Sequence, residues 1–343
     1  MNSVPVFVGL DYHDDSVQIS VVNAAGEQLL NCACPNDYMK IVNKVGSLGV
    51  VQHAAIEACC GAADLAEELI GRAAWPIDLA HPQYVAHLRK SPDKSDYSDG
   101  RLLADLTRVG YLPRVWLPSS YERDLRHLVN HRQSLVNRRR TVKLCIRALL
   151  REHRVRPPEK AVGWRKAWMN WLKTTPDLGS HARWIIDDLL EELEYLDKKI
   201  SAAEKHLHQA TANDPQVKKL LEEPGIGPVT AWILRGFVGR FSRFGNGKQL
   251  SRYCGLTPCN ASSGKRQADA GLIQGCNKLL RATLIQSAHQ LIRREERWGN
   301  LAQRLQKQGK AYGVIVAAVA NRWMRGLWHR MSKERKAAML AEA

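Results

Sequence analysis

Apolar residues at 4–10 (VPVFVGL) form a short run that stops at Asp11. A second run, 17–22 (VQISVV), is rich in β-branched side chains, and a third begins near 27–32 after the turn residues Asn23-Ala24-Ala25-Gly26. Runs of this length separated by turn chemistry predict three strands in an antiparallel meander. A helical pattern follows at 38–46, then an apolar strand at 50–56 (VVQHAAI) that stops at Glu57, a helix at 62–73 and a strand at 76–80. The order β-β-β-α-β-α-β predicts a mixed sheet with helices on its faces, because parallel neighbours need a crossover connection.

The periodicity then changes. After YLPRVWLPSS, read as a loop, residues 120–155 contain neither Gly nor Pro. Ser119 and Ser120 are cap candidates, and Leu125, Leu128, Leu135, Val142, Ile146 and Leu149 fall on an approximate stripe, predicting a long amphipathic helix. Leu189, Leu193, Leu196, Ile200, Ala203 and Leu207 alternate in steps of four and three, the spacing of a heptad seam. An antiparallel helical coiled-coil hairpin is expected, although the same seam serves equally to join two chains. Between the helices, Pro157–His181 with Trp164, Trp168 and Trp171 reads as a small cap or an oligomer contact. Further on, Pro224-Gly225-Ile226-Gly227-Pro228 has the form of a helix-hairpin-helix turn, in which Gly225 and Gly227 let backbone N–H groups at a helix N-terminus approach a phosphate. The expected fold class is α/β plus all-α: a mixed-sheet domain at 1–115, a long-helix region with a Trp-rich insertion at 116–213, and a mainly helical domain at 214–343.

Charge divides along the same line. The 343 residues carry 51 Lys+Arg against 34 Asp+Glu, a net charge of +17. Residues 1–115 hold 9 basic and 14 acidic residues, whereas 116–343 hold 42 and 20. An acidic front on a strongly basic remainder suggests a metal-binding or catalytic module carried on nucleic-acid-binding modules. Residues 121–156 alone hold 11 basic and 3 acidic residues, including Arg138-Arg139-Arg140, and 235–281 hold 9 basic residues and the single acid Asp269. Both stretches are expected to contact nucleic-acid backbones. The ordinary apolar fraction of 45% excludes a disordered or fibrous chain. With no apolar stretch of spanning length and no signal-like N-terminus, the chain is expected to be cytoplasmic and away from membranes. Eight scattered cysteines fit a reducing compartment better than a disulfide framework. Cys32/Cys34 and Cys59/Cys60 read as small buried side chains sooner than as zinc ligands.

The carboxylates carry the chemistry. Asp11 closes the first strand, Glu57 closes the fourth, and Asp96 and Asp99 stand three apart in KSDYSDGRLLADL. If a helix begins near Asp96, both acids share one face beside the strand ends. Four carboxylates converging there repel one another unless divalent cations lie between them, and hard Mg²⁺ or Mn²⁺ suits oxygen donors. Taken singly, Asp96 reads as a helix cap and Asp99 as a first-turn acid.

The segments VGLDYHDDSVQISVV, HAAIEA and KSDYSDGRLLADL resemble the DEDD insertion-sequence transposases, the IS-one-ten family, whose first domain is similar to RuvC and the RNase H fold. The family's KTDxxDAxxLA pattern falls on Lys94, Ser95, Asp96, Tyr97, Ser98, Asp99, Gly100, Leu103 and Ala104. Ser95 replaces Thr, and Gly100 replaces Ala at a cost to the helix of about 1 kcal/mol at most. The resemblance implies that Asp11, Glu57, Asp96 and Asp99 are the catalytic metal-ligating acids; Asp14, Asp15 and Asp105 match no motif acid. It extends through LLEEPGIGPVTAWIL, QLSRYCGLTP and SSGKRQADAGLIQGCNKLLRATL, with departures at Cys254, Cys259 and Gly275-Cys276-Asn277. By itself the Ser-Ser-Gly-Lys loop reads as a phosphate-contacting turn. The resemblance implies that Ser263, beside Ser262, is a nucleophile; Lys265 or Arg266 is expected to help hold the phosphate.

It further implies a recombinase that cuts and rejoins donor and target DNA with Mg²⁺ (or Mn²⁺), guided by a non-coding bridge RNA. Joining two DNAs requires at least two active sites, so a homo-oligomer, dimer or tetramer, is expected, with the acidic site of one protomer able to meet the serine of another. The alternatives from other classes are a RuvC-like junction nuclease that uses Ser263 only structurally, and a non-catalytic nucleic-acid-binding protein.

Overall fold

In the computed structural model, which describes residues 4–88, 95–159, 163–175, 177–260 and 269–341, the first three apolar runs pair as a meander: β1 (Pro5–Tyr12), β2 (Ser16–Asn23) and β3 (Gln28–Pro35). Helix α1 (Tyr38–Gly46) leads to β4 (Val50–Glu57), and α2 (Ala62–Ala73) to β5 (Ile77–Ala80). Two short elements, α3 (Pro82–His87) and β6 (Arg114–Val115), flank α4 (Asp96–Arg108); β6 lies inside the stretch read above as a loop. The sheet order is β3-β2-β1-β4-β5-β6. β4 runs parallel to β1 and to β5, while the other neighbours are antiparallel. This mixed sheet is consistent with the RNase H-like fold that the resemblance implies.

Alternation along the strands sorts the two faces. Val6, Val8 and Leu10 of β1, with Ala54 and Ile56 of β4, join Ile41, Val45, Leu65 and Leu69 of α1 and α2 in one core. The intervening residues point the other way: Ala55 and Ala80 pack with Val85, Leu103 and Leu106 of α3 and α4. Helix α4 lies so close to β1 that a Cβ on Gly9 would stand 2.1 Å from the Gly100 carbonyl oxygen and 2.5 Å from the Ala104 nitrogen. Glycine at position 9 is therefore a packing requirement.

The chain divides into two units, Met1–Ser120 and Tyr121–Ala343. In the second, α5 (Ser120–Glu152), α6 (Lys166–Thr174) and α7 (Ser180–Thr211) share a core that includes Leu135, Val142, Ile146, Trp168, Leu172, Ile186, Leu193 and Leu196. Arg132 pairs with Glu204 at 2.6 Å and Arg139 with Asp197 at 2.7 Å; residue numbers that rise along α5 while falling along α7 mean that the two helices run antiparallel. The tryptophan segment belongs to this core, with Trp168 4.4 Å from Trp164 and 5.8 Å from Trp171, centroid to centroid.

A second core gathers Leu125, Val129 and Leu207 from the other ends of these helices with the remaining helices. These are α8 (Pro215–Leu221), α9 (Pro228–Val238), α10 (Gly247–Tyr253), α11 (Lys278–Arg294), α12 (Glu296–Lys307) and α13 (Tyr312–Ala341); outside this core, the strands β7 (Pro258–Asn260) and β8 (Asp269–Leu272) pair antiparallel. Among the described residues no helix is long and apolar enough to cross a membrane.

Candidate metal centre

Alternation also sets the site. In register, Gly9 pairs with Ala55 and Leu10 with Ile56, so the next residues, Asp11 and Glu57, end adjacent parallel strands on the face that α4 covers. The N-terminus of α4 is fixed by Ser95, whose hydroxyl accepts from the Ser98 N–H at 3.2 Å while the Ser98 hydroxyl accepts from the Ser95 N–H at 3.3 Å. Ser95 thus does the capping. Asp96 at the first helical position is left to face the strand ends and remains largely exposed, whereas Asp99, one turn on, is buried.

The acids feel one another. Burial pushes the Asp11 carboxyl above its ordinary value; His13 opposes that rise, and the negative charges of Asp96, Asp99 and Glu57 add to it. One residue that the motif reasoning passed over stands among them. His13 Nε2 lies 3.5 Å from Asp11 Oδ2 and 3.3 Å from Asp96 Oδ2, and the three donor atoms all fall within 4.8 Å of one another. The signal was available: residues two apart in extended chain point to the same side, so an Asp-x-His at a strand end brings both side chains to one spot. Carboxylate oxygens and an imidazole nitrogen are a donor set that fits a divalent cation. Cys59 borders the group, but burial, Glu57 and Asp11 push its thiol up against the lowering contact of the Ala62 N–H, so it is not activated as a nucleophile.

In the second unit the sequence-predicted contacts separate. Arg138 and Arg140 are exposed on α5, while Arg139 is turned to Asp197 on α7. Gly225 takes the left-handed conformation, φ +81°, and a Cβ there would meet the Leu291 side chain at 2.8 Å. Gly227 caps α9 with open space beside it. Among the basic residues of 235–281, Arg235 is mostly covered and pairs with Glu122 and Asp214, at 2.5 and 2.6 Å. Arg243 stacks on Phe244 and Tyr253 at 4.1 and 4.5 Å, and Arg281 donates to the Ile273 carbonyl at 2.7 Å; Arg240, Lys248, Arg252 and Lys278 are exposed. Ser262, Ser263, Lys265, Arg266 and Lys94 lie outside the described residues.

Comparison with known proteins gives this arrangement its context. A sequence model of DEDD transposases of the IS110 type matches residues 8–155, which include all four acids, and that of the IS116/IS110/IS902 transposase family matches residues 217–303. The chain belongs to the IS110 family of DEDD transposases. It is similar to a probable family 20 transposase of Pseudomonas aeruginosa, 26% identical over 292 residues that cover 82% of this chain and 84% of that protein. It is also similar to the transposase of insertion sequence element IS1328 from Yersinia enterocolitica, 26% identical over 280 residues, 80% of this chain and 82% of the relative. A third relative is the transposase of element IS1111A from Coxiella burnetii, 26% identical over 287 residues, 83% and 78% of the two chains. As a DNA transposase, the enzyme acts by phosphoryl transfer.

Proposed function

We propose that this transposase mobilises an insertion sequence by cutting and rejoining DNA strands, with Asp11, Glu57, Asp96 and Asp99 as ligands of divalent cations and Ser263 as the nucleophile. The observation that carries the reading is the shared face: strand alternation and the capped start of α4 direct the four acids to the ends of two central strands, where burial, and then the charges of Asp96, Asp99 and Glu57, raise the Asp11 carboxyl. Cations among these carboxylates relieve the repulsion, and hard oxygen donors suit Mg²⁺ or Mn²⁺. A bound pair of such ions would activate an attacking oxygen and stabilise a leaving one.

The chain's own contribution there is position, since β1, β4 and α4 are packed elements and not loops. In the domain that carries Ser263, Ser263 Oγ attacks the scissile phosphorus, loses its proton and forms a phosphoserine ester, while the departing strand oxygen takes up a proton. The ester conserves the phosphodiester's energy for the rejoining step, in which a strand hydroxyl displaces the serine. Lys265 and Arg266 hold the phosphate. The exposed Arg138 and Arg140, and the backbone around Gly225 and Gly227, hold nucleic-acid backbones: donor and target DNA and a bridge RNA that guides target choice. Two DNAs need at least two active sites, so the working form is a homo-oligomer, dimer or tetramer.

The test uses labelled DNA, the RNA that copurifies with the protein, and a divalent cation, resolved on a denaturing gel. The wild type is expected to give a protein–DNA adduct that maps to Ser263, with Ser263→Ala giving neither adduct nor recombinants and Ser262→Ala keeping both. Metal-dependent cleavage without an adduct would favour a hydrolytic RuvC-like nuclease instead.

A further inference from the structure

We propose that His13 is a nitrogen ligand of the metal centre and biases it toward manganese-like cations over Mg²⁺. The inference rests on the metal-site reading above and adds a ligand to it.

Position is the first argument. The His13 backbone is anchored: its N–H donates to the Ser16 carbonyl at 2.9 Å, and its carbonyl accepts from Asn36 Nδ2 at 3.1 Å, with the same amide bound to the Asp14 carbonyl. The loop between β1 and β2 is thereby tied to the end of β3, and the imidazole is held over the acids. Nε2 sits 3.5 and 3.3 Å from one oxygen each of Asp11 and Asp96. Charge-assisted hydrogen bonds to a carboxylate close to about 2.7–2.9 Å, so the ring is not docked on either partner. Donors at neighbouring vertices of an octahedron with bonds near 2.1 Å stand about 3.0 Å apart. The two nitrogen–oxygen separations exceed that spacing by 0.5 and 0.3 Å, and all three donor atoms lie within 4.8 Å of one another, close enough to draw in around a shared ion.

Chemistry is the second. Mg²⁺ favours an all-oxygen shell with retained water, whereas transition-metal ions accept an imidazole nitrogen more readily, Mn²⁺ the least strongly of them and Co²⁺ and Zn²⁺ more so. A site of carboxylates alone leaves the choice to ion availability. Adding one nitrogen shifts it. Were the imidazole instead only a counter-charge between Asp11 and Asp96, an arriving cation would displace it and no metal–nitrogen bond would form.

Mn²⁺ added to the full-length protein separates these cases by pulsed electron paramagnetic resonance. Nitrogen-14 coupling from one imidazole is expected in the wild type and is absent from His13→Gln and His13→Ala, while Asp11→Asn loses the bound Mn²⁺ signal. In competition calorimetry, His13→Gln is expected to lower the preference for Mn²⁺ over Mg²⁺ by about tenfold or more. Mn²⁺ that binds in an Asp11-dependent manner without nitrogen coupling would overturn the role of His13 and leave the acidic site standing. A wild type that binds no Mn²⁺ would overturn both. Circular dichroism of each variant checks that the fold is retained.

Discussion

Asp11 is placed against its own charge. Burial first, and then Asp96, Asp99 and Glu57, raise its carboxyl pKa above the ordinary value, and His13 opposes the rise. With the folded pKa above the unfolded one, the native state holds a proton over a window in which the unfolded chain has lost it. Stability therefore falls as pH rises through that window, and the ionised carboxylate costs stability at neutral pH without a cation. Asp11→Asn is accordingly expected to melt at or above the wild type in EDTA, by about 2–4 °C for each kcal/mol relieved. Mn²⁺ should raise the melting temperature of the wild type only. A variant that melts below the wild type in EDTA would refute this account. The two glycines where α4 crosses β1 behave oppositely. A Cβ on Gly9 has no room, but one on Gly100 would meet Ser20 and Gln18 at 3.5 Å or more, which is ordinary contact. Gly100→Ala, the family's residue, should stabilise the helix by about 0.5–1 kcal/mol in denaturant unfolding, whereas Gly9→Ala should displace α4 and reduce cation binding. Equal effects at the two positions would contradict the packing described.

At the scale of elements, Arg235 is the pin that holds α9 to the start of α5 and to the N-cap of α8. Its guanidinium satisfies Glu122 and Asp214, all three being largely buried, and it lies 5.2 Å from the Tyr121 ring, whose hydroxyl is pushed up to about 12 by burial and by Asp214. Removing the arginine takes the counter-charge from two largely buried carboxylates, so Arg235→Met should cost about 3–5 kcal/mol in denaturant unfolding. Arg252→Met, on an exposed side chain, should stay within about 0.5 kcal/mol; similar costs for the two would remove the pin. In sequence, Arg235 looks like any other basic residue of a nucleic-acid surface, because composition counts charge but not burial. Elements whose signal is local were legible: β1, β2, β4, α2 and β5 emerge from apolar alternation and turn residues within a residue or two, while β3 runs three residues beyond the expected end at 32. β6 spans two residues, too few for any period, and is fixed only by pairing with β5. The acids could be read because each closes a strand or opens a helix. His13 could be missed because it follows the strand and belongs to no acidic motif, although its spacing from Asp11 places it on the same side.

For the whole molecule, the charge asymmetry assigns separate tasks to its parts. Residues 1–115 hold 9 basic against 14 acidic residues, so without cations the first unit gains nothing from approaching a phosphate backbone, and affinity must come from the basic remainder. Each phosphate neutralised by that surface releases counterions and adds about 0.9 to the slope of log affinity against log salt for duplex DNA. Yet net charge overstates the contact, since Arg139, Arg235, Arg243 and Arg281 are committed to partners within the fold. Exposed Arg138 and Arg140 are free to reach phosphates, being one helical step either side of an arginine that faces α7. Fluorescence anisotropy with a labelled duplex over a salt series should therefore show the Arg138→Gln/Arg140→Gln double variant flattening the slope by about 1.8. Arg139→Gln should leave the slope nearly unchanged and lower the stability of the helix pair by up to about 1 kcal/mol, as expected for a partly exposed ion pair. If the double variant keeps the wild-type slope, this face of α5 meets only solvent, and the nucleic acid is held by the exposed Arg240, Lys248, Arg252 and Lys278 of the C-terminal elements. If Arg139→Gln flattens it as much as the double variant does, its pair with Asp197 opens in the complex and α7 shares in the binding surface.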